Sequence, residues 1–399
     1  MSNKPMRHGV FLAPLHPVDE NPNVLIHRDL ELMEWLDKLG YDEAWIGEHH
    51  SAGFETIASP ELFIAAAAER TRSLKFGTGV ISLPYHQPLM VANRIIQLDH
   101  QTRGRVMFGF GPGLLVSDAT MLGIDPLTQR DRMAQALDVI LRLLDGQTVT
   151  EQTDWYNLQN ARVHLLPYSR PRPQIAVASA ATPSGGKLAG KYNLMMLCVA
   201  ATSATGGFNV LDVNWKVAVD TGAEHGNVMN RDNLRLMGPM HIAETREKAR
   251  ENVRFGLMKY IEYAQTVTPG RFGDFAGRDP VDLMLESGHI AIGTPDDAIA
   301  VLTKLREKQG HFGAFLHQAH DWADWEATRK SYELYMRFVV PHFNDANVMR
   351  EASYDDWKQN SQALSERSHA AAQATFAKFG AEANAAAAAR QTGMIGTKG

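Results

Sequence analysis

Short apolar runs alternate with segments of helical periodicity along most of the chain. The eight runs that predict strands begin near Gly9, Ala44, Leu74, Arg105, Gln174, Leu194, Leu234 and Phe312. Helical spacing of apolar residues over 29–39 precedes Gly40, a residue typical of a helix C-cap. Strands that alternate with helices favour a parallel sheet, and eight such units at this length favour a closed (β/α)8 TIM barrel over an open doubly wound sheet.

Two stretches interrupt this alternation and a third follows it. Residues 147–172 are polar with a proline-rich end, and residues 265–288 are rich in glycine, aspartate and phenylalanine. Long insertions on a barrel are usually functional loops or disordered segments, and we expect the second to be a lid. The end of the chain is polar and alanine-rich, which predicts a barrel over 1–350 and a helical or flexible extension over 351–399.

Composition excludes several classes of function. The chain is 44% hydrophobic with a formal net charge of −5, which gives no reason to expect binding to nucleic acid or to an anionic membrane. Its one cysteine, Cys198, lies in an apolar run and predicts a buried side chain. The N-terminus lacks the apolar stretch of a signal peptide, and no run approaches the roughly 20 apolar residues of a membrane helix. We therefore expect a cytoplasmic protein.

The second strand ends in a charged triplet, Glu48-His49-His50. A TIM barrel places its active site at the C-terminal ends of its strands, so these side chains are candidates for chemistry. Adjacent histidines on a strand point in opposite directions, which disfavours a metal site, and we expect none. The remaining interpretations are a structural histidine and a general acid or base.

Small residues end the neighbouring strands. Gly79 and Gly111 allow a flat ligand to approach the backbone closely. Hydroxyl residues and glycines over 179–186 precede a helical segment, whose unpaired N–H groups suit a phosphate. An ordinary N-cap and turn would explain the same residues, and no Gly-Lys-Ser/Thr sequence marks a Walker loop.

Four motifs in order resemble the luciferase-like flavin monooxygenases. They are Glu48-His49-His50, Leu83-Pro84-x-x-x-Pro88, Leu98-Asp99-x-x-Thr102-x-Gly104-Arg105 and Gly293-Thr294-Pro295-Asp296. The resemblance extends from about Arg7 to Pro341. Within the family, residues 42–60 and 102–126 are most similar to the limonene 1,2-monooxygenase branch.

The resemblance implies a role for individual residues. His49 matches the catalytic histidine, and Gly79–Val80 matches a pair joined by a cis peptide bond against the flavin ring. Asp118 matches a residue that influences flavin affinity, and Ser179 and Thr182 match phosphate-binding hydroxyls. The complete set of predicted cofactor-binding residues is Gly79, Val80, Ser82, Gly111, Asp118, Ser179 and Thr182.

Two positions depart from the luciferase pattern. The phosphate-binding arginine of luciferase falls on Pro112, and the glutamate before its phosphate serine falls on Ala178. Lys187 and Arg105 are candidate replacements. The choice between FMN and FAD is left open by this difference.

The resemblance also implies a reaction. A separate NAD(P)H-dependent reductase supplies reduced FMN, or FAD as the alternative, and a flavin peroxide formed with O2 oxygenates a small hydrophobic substrate. A terpene and a cyclic ketone are the candidate substrates, and we expect a homodimer. The alternative functions are a deazaflavin-dependent oxidoreductase and a non-catalytic flavin-binding barrel.

Overall fold

The computed structural model describes residues 5–180, 182–202, 207–269 and 276–395. The chain divides into two compact units, Met1–Asn344 and Asp345–Gly399. The first unit contains every strand described below. In the second, the structure describes one helix over residues that are almost all exposed.

Eight parallel strands close into a barrel, as predicted. Their order around the barrel is β1-β12-β9-β8-β7-β4-β3-β2. The barrel strands are β1 (Arg7–Leu12), β2 (Glu43–Ile46), β3 (Lys75–Ser82), β4 (Val106–Gly111), β7 (Gln174–Ser179), β8 (Met195–Cys198), β9 (Leu234–Gly238) and β12 (Ala314–Ala319). The remaining strands are β5 (Val149–Gln152), β6 (Asn157–Ala161), β10 (Met240–Ile242) and β11 (Ala291–Gly293).

Helices connect the strands and cover the outside of the barrel. Those up to β8 are α1 (Pro22–Leu39), α2 (Pro60–Arg70), α3 (Pro88–Thr102), α4 (Val116–Met121), α5 (Gln129–Leu144) and α6 (Ser184–Tyr192). Those after β8 are α7 (Leu211–Glu224), α8 (Arg246–Val253), α9 (Leu257–Val267), α10 (Pro280–Leu285), α11 (Pro295–Gln309), α12 (Trp325–Leu334), α13 (Val340–Asn344) and α14 (Val348–Ile395). The predicted C-cap of α1, Gly40, has a φ of 84°, a conformation that glycine adopts without strain.

The amino end of the barrel interior is filled by side chains. The Trp45 indole is fully buried and lies so close to β3 that a Cβ on Gly77 would come within 2.4 Å of it. Trp45 Nε1 donates a hydrogen bond to Glu43 Oε2 at 2.8 Å, and Arg235 Nη2 donates to Glu43 Oε1 at 3.1 Å. These groups pack inside the barrel near its amino end.

The two insertions differ in structure. The first, predicted as a functional loop or a disordered segment, contains an antiparallel hairpin of β5 and β6. The second contains the end of α9 and all of α10, and its residues 270–275 lie outside the described part of the chain. The last run before β12 also differs from prediction, because the apolar run from Leu234 divides into β9 in the barrel and β10, which pairs with β11.

Candidate active site

A cavity of about 370 Å³ opens at the carboxyl ends of the barrel strands. Its volume lies in the range typical of small-molecule sites. Each barrel strand, or the residue directly after it, contributes to the wall, through Phe11, Gly47, Ser82, Gly111, Ala178, Val199, Met237 and Gln318. Helix α9 adds Tyr260, Tyr263 and Ala264. The cavity therefore has the position that the barrel fold predicts for an active site.

One wall of the cavity is made of backbone at two glycines. The peptide bond between Gly79 and Val80 is cis, as the resemblance implies. A Cβ on Gly79 would come within 2.8 Å of the Phe11 ring, and one on Gly111 within 2.6 Å of Val80 Cγ2. Both positions therefore require glycine for packing, and the same absence of side chains gives the wall a flat surface.

His49 lies on the wall between two carboxyl groups. Its Nε2 is 3.1 Å from Glu55 Oε2, and its Nδ1 is 3.3 Å from Asp118 Oδ2. The Asp118 carboxylate also accepts hydrogen bonds from the Ser51 hydroxyl and from the His50 backbone N–H. Asp118 is 1% exposed and does not line the cavity. It therefore holds the loop that carries His49 rather than forming the wall.

Two glutamates near His49 have opposite environments. Burial alone would raise the pKa of Glu48, but hydrogen bonds from His50, His86 and the Ser82 N–H outweigh it and lower that pKa to about 2. Burial raises the pKa of Glu55, which accepts one hydrogen bond from the Tyr263 hydroxyl at 2.9 Å. Three donors stabilise the charged form of Glu48, whereas burial disfavours the charged form of Glu55. Glu55 therefore retains a proton more readily than Glu48.

The N-terminus of α6 forms another part of the wall. Its capping residue, Pro183, provides no side-chain cap, so the first backbone N–H groups of the helix have no capping acceptor. Ser184, Gly185 and the exposed Thr182 line the cavity here. Two hydroxyl groups and an uncapped helix N-terminus are a suitable environment for an anion.

The comparison with known proteins decides the family. The family model described as "Luciferase-like monooxygenase" matches residues 6–335. The chain belongs to the luciferase-like monooxygenase family. Both the family and the enzyme class predicted from the sequence, a monooxygenase, are confirmed.

Characterised members of the luciferase-like monooxygenase family are similar over almost the whole chain. Limonene 1,2-monooxygenase from Rhodococcus erythropolis is 46% identical over 94% of this chain and 96% of its own length. 4-Hydroxyprotoasukamycin monooxygenase from Streptomyces nodosus subsp. asukaensis is 45% identical over 87% of this chain and 94% of its own. Both are monooxygenases of the same family.

Solved structures have the same fold. The oxygenating constituent of 3,6-diketocamphane monooxygenase from Pseudomonas putida, a type II Baeyer-Villiger monooxygenase in complex with FMN, matches with a TM-score of 0.71. It is 23% identical and covers 85% of this chain and 99% of its own. The monooxygenase RslO1 from Streptomyces bottropensis matches with a TM-score of 0.73 and 22% identity over 85% of this chain and 100% of its own.

The residues predicted as the site of this luciferase-like monooxygenase divide into two groups. Those on the cavity wall are His49, Gly79, Val80, Ser82, Gly111 and Thr182. Asp118 and Ser179 lie behind the wall. The Ser179 side chain is 3% exposed, and its Oγ accepts a hydrogen bond from Asn214 Nδ2 at 3.4 Å.

The candidate replacements for the missing phosphate arginine lie elsewhere. The Arg105 guanidinium donates to the Ala68 and Leu74 carbonyls and to Thr71, at the amino end of β4 and away from the cavity. Lys187 is exposed and does not line the cavity. A different cation, Arg130 near the N-terminus of α5, does line it.

Sequence reasoning missed three residues of the luciferase-like monooxygenase site, namely Glu55, Arg130 and Tyr263. Glu55 and Tyr263 lie on a loop and on a helix, so no strand-end rule selects them. A signal for Arg130 was present, because it is a basic residue at the start of a predicted helix, on the strand-four side of the barrel.

Two features are absent from the residues that the structure describes. In the parts of the chain that the structure describes, no three His, Cys, Asp or Glu side chains are grouped so as to hold a metal ion. No helix within those parts combines the length and apolar composition needed to cross a membrane.

Proposed function

We propose that this protein is a flavin-dependent monooxygenase that uses reduced flavin and O2, through a flavin peroxide, to oxygenate a small hydrophobic organic substrate. We propose reduced FMN as its cofactor, with FAD as the alternative, delivered by a separate NAD(P)H-dependent reductase. Family membership supports this proposal, and so does the description of the P. putida protein as an oxygenating constituent in complex with FMN.

One observation carries the proposal. A single cavity combines three features. Arg130 and the N-terminus of α6 suit an anion, Gly79 and Gly111 form a flat backbone wall, and His49 is an acid–base group. A flavin mononucleotide has an anionic phosphate, a flat ring and a reactive centre that exchanges protons. The described residues therefore fit this class of cofactor.

The cofactor would supply the electrons that activate oxygen, and the protein would orient it and handle protons. We propose that Arg130, Thr182 and Ser184 hold the phosphate together with the N–H groups of α6. Gly79, Val80, Ser82 and Gly111 would support the ring system. Asp118 and Ser179 would act from behind the wall, by fixing His49 and the end of β7, and His49 would be the proton-handling group.

Apolar side chains on the cavity wall support a hydrophobic substrate. They include Phe11, Val199, Met237, Tyr260 and Val267. Such a wall binds by burial of apolar surface and offers few directional contacts. We propose a terpene or a cyclic ketone as the substrate class, since one relative is named for limonene and a neighbouring structure is a Baeyer-Villiger enzyme.

The function is tested by supplying reduced FMN enzymatically and screening terpenes, cyclic ketones and aldehydes with isotopically labelled O2. We expect one labelled oxygen atom in the product, measured by mass spectrometry. Flavin binding with no product from any substrate would favour a non-catalytic flavin-binding barrel. Anaerobic hydride transfer with a deazaflavin would favour the oxidoreductase alternative.

The phosphate end has its own test. Arg130→Gln should weaken FMN binding about 10- to 100-fold, the equivalent of a charged hydrogen bond of about 1.5–3 kcal/mol. Riboflavin, which has no phosphate, should bind the variant and the original protein alike. The matched control is Lys187→Gln, which removes an exposed cation on α6 outside the cavity. Equal losses for FMN and riboflavin would remove Arg130 from the phosphate site.

We also propose a homodimer. Large apolar side chains are exposed on two helices that pack side by side, Leu62 on α2 (74% exposed) and Met90 on α3 (53% exposed). Light scattering that gives a monomer at micromolar concentration would contradict this proposal.

A further inference from the structure

Both ring nitrogens of His49 are held by carboxyl groups. Nε2 contacts Glu55 at 3.1 Å and Nδ1 contacts Asp118 at 3.3 Å. In this arrangement neither nitrogen is free to reach a molecule in the cavity directly. A proton that leaves or enters the cavity through His49 must therefore pass through one of its two partners.

Of these partners, only Glu55 lines the cavity. It lies on the loop between β2 and α2, which is held to the loop after β1 by a bridge between Leu15 and Glu55. The Glu55 side chain is 8% exposed, and Tyr263, which stacks on Phe54 with ring centroids 4.2 Å apart, donates to its Oε1. Glu55 is thus fixed in place by two neighbouring segments.

The surroundings of Glu55 favour its protonated form. Burial raises its pKa and the charge of Asp118 acts in the same direction, while His49 and the Tyr263 hydroxyl oppose them. Among the residues that the structure describes, no lysine or arginine forms an ion pair with Glu55. The titratable groups that face Glu55 are therefore Asp118, His49 and Tyr263. A buried carboxyl without a permanent cation retains a proton more readily than a solvated one.

One set of donors and acceptors satisfies the chain of contacts. The Tyr263 hydroxyl donates to Glu55 Oε1, and Glu55 Oε2 lies 3.1 Å from His49 Nε2, close enough for a proton on Oε2 to pass to that nitrogen. His49 Nδ1–H then donates to Asp118 Oδ2.

The chain of contacts continues to the protein surface. The Ser51 hydroxyl bonds to Asp118 Oδ1 and lies 2.7 Å from the hydroxyl of Ser117, which is exposed. One ion-pair contact and three hydrogen bonds therefore join the cavity wall at Glu55 to solvent at Ser117, by way of His49, Asp118 and Ser51. Such a series of groups can carry protons between a closed cavity and water.

We propose that Glu55 is the residue that exchanges a proton with the molecule in the cavity, and that His49, Asp118 and Ser51 connect it to solvent. The molecule gives a proton to a carboxyl oxygen of Glu55 as Glu55 passes its own Oε2 proton to His49 Nε2, so Glu55 stays protonated. His49 in turn passes its Nδ1 proton to Asp118 Oδ2, and Asp118 passes one to solvent through Ser51. No electrons move in this exchange, and it rests on the proposed function.

The first test uses flavin-free protein. Infrared difference spectra between the original protein and Glu55→Gln at neutral pH should show the C=O stretching band of a protonated carboxyl group that only the original protein has. Glu262→Gln, which changes an exposed glutamate on α9, should leave that band in place. The absence of any difference at Glu55 would overturn the proposal, whatever the enzyme's substrate.

The second test follows product formation with a substrate that the original protein oxygenates. Glu55→Gln keeps the size and the contacts of the side chain but holds no acidic proton, and it should lose product about 10²–10⁴-fold. Glu55→Asp should restore part of that loss, and Glu262→Gln should lose none. Product from Glu55→Gln at the original rate would overturn the proposal, whereas no product from the original protein would overturn the proposed function instead.

A third measurement distinguishes proton exchange from a structural role. Tyr263→Phe removes the hydrogen bond that stabilises the Glu55 carboxylate, so the pKa of Glu55 should rise. Product formation, which needs protonated Glu55, should therefore fall with increasing alkalinity at a higher pH than in the original protein. A purely structural role of Tyr263 would change the rate equally at every pH, and that outcome would contradict the assignment of Glu55.

Discussion

His16 and His49 each lie between two carboxyl groups, and they differ in what lies beyond those groups. His16 contacts Asp321 at 2.5 Å and Asp29 at 2.9 Å, is 4% exposed and does not line the active-site cavity. His49 has longer contacts, 3.1 and 3.3 Å, and lines that cavity. Histidines that follow β1 and β2 thus have similar immediate partners but different access to the cavity.

The surroundings of His16 favour a permanent cation. Burial alone would lower the pKa of His16, but the hydrogen bonds and charges of Asp29 and Asp321 outweigh it and raise that pKa to about 10. Such an imidazolium ties the loop after β1 to α1 and to the loop after β12. One of the partners of His49, in contrast, is a glutamate whose own pKa burial raises. The partners of an imidazole therefore decide whether it stabilises the fold or is available for chemistry.

The largest expected effect separates the two histidines by activity. His49→Ala should retain the fold and bind flavin, yet lose product about 10²–10⁴-fold, because a positioned acid–base group is removed. Its reduced flavin should yield mainly hydrogen peroxide. Stopped-flow absorbance with peroxide and product yields measures this, and His50→Ala should lose less. Full coupling of oxygen use to product in His49→Ala would remove this residue from the mechanism.

The next effect concerns stability. His16→Ala leaves the buried Asp29 carboxyl without its hydrogen-bonding partner and removes one of the two cations at Asp321, so it should lower the free energy of unfolding by about 3–5 kcal/mol. Urea unfolding measures the change. The control is His27→Ala, an exposed position on α1, which should stay within about 0.5 kcal/mol of the original protein. Equal stability of the His16 and His27 variants would show that the His16 ion pairs contribute nothing.

The pH dependence of stability sharpens the comparison further. The folded protein binds the His16 proton more tightly than the unfolded chain, whose pKa is about 6.5. The stabilisation is therefore complete below pH 6.5 and is lost as the pH rises towards about 10. We expect the stability difference between the original protein and His16→Gln to shrink by about 2–4 kcal/mol over this range. A difference that stays constant with pH would contradict the cationic state of His16.

The smallest effect compares one acceptor from each site. Asp321 accepts charged hydrogen bonds from His16 and Arg28, so Asp321→Asn should lower the free energy of unfolding by about 1.5–3 kcal/mol. Asp118→Asn should cost about 1 kcal/mol or less, since its partners are a hydroxyl, a backbone N–H and an imidazole at the longer distance of 3.3 Å. Thermal unfolding of the two variants shows which one loses more stability. A larger loss for Asp118→Asn would contradict the distinction between a structural and a reactive histidine.

The barrel was predictable because its strands are buried on both faces. A parallel strand inside a barrel is a continuous apolar run, as in β4, where every residue is buried, and such runs are visible without any knowledge of neighbours. The hairpin of β5 and β6 was not predicted, because these strands are short and half polar. Gly238, at the end of β9, lies at the point where a single apolar run divides into two strands.

The site was predictable only where strand ends or motifs mark it. His49, Gly79 and Gly111 follow from the topology of the barrel, which fixes which end of each strand meets the cavity. Glu55 and Tyr263 come from a loop and a helix that approach His49 through tertiary packing. Their separation in sequence is 208 residues, and no local pattern encodes such a contact.

Helix α9 presents Tyr260, Tyr263, Ala264 and Val267 to the cavity from one face, at helical spacing. Three of them only shape the apolar wall, whereas Tyr263 is hydrogen-bonded to Glu55. A combinatorial library over positions 260, 264 and 267 could therefore alter which molecules the enzyme accepts while leaving the hydrogen bond to Glu55 in place. Position 263, on the same helical face, would link any change of substrate range to a change in the chemistry itself.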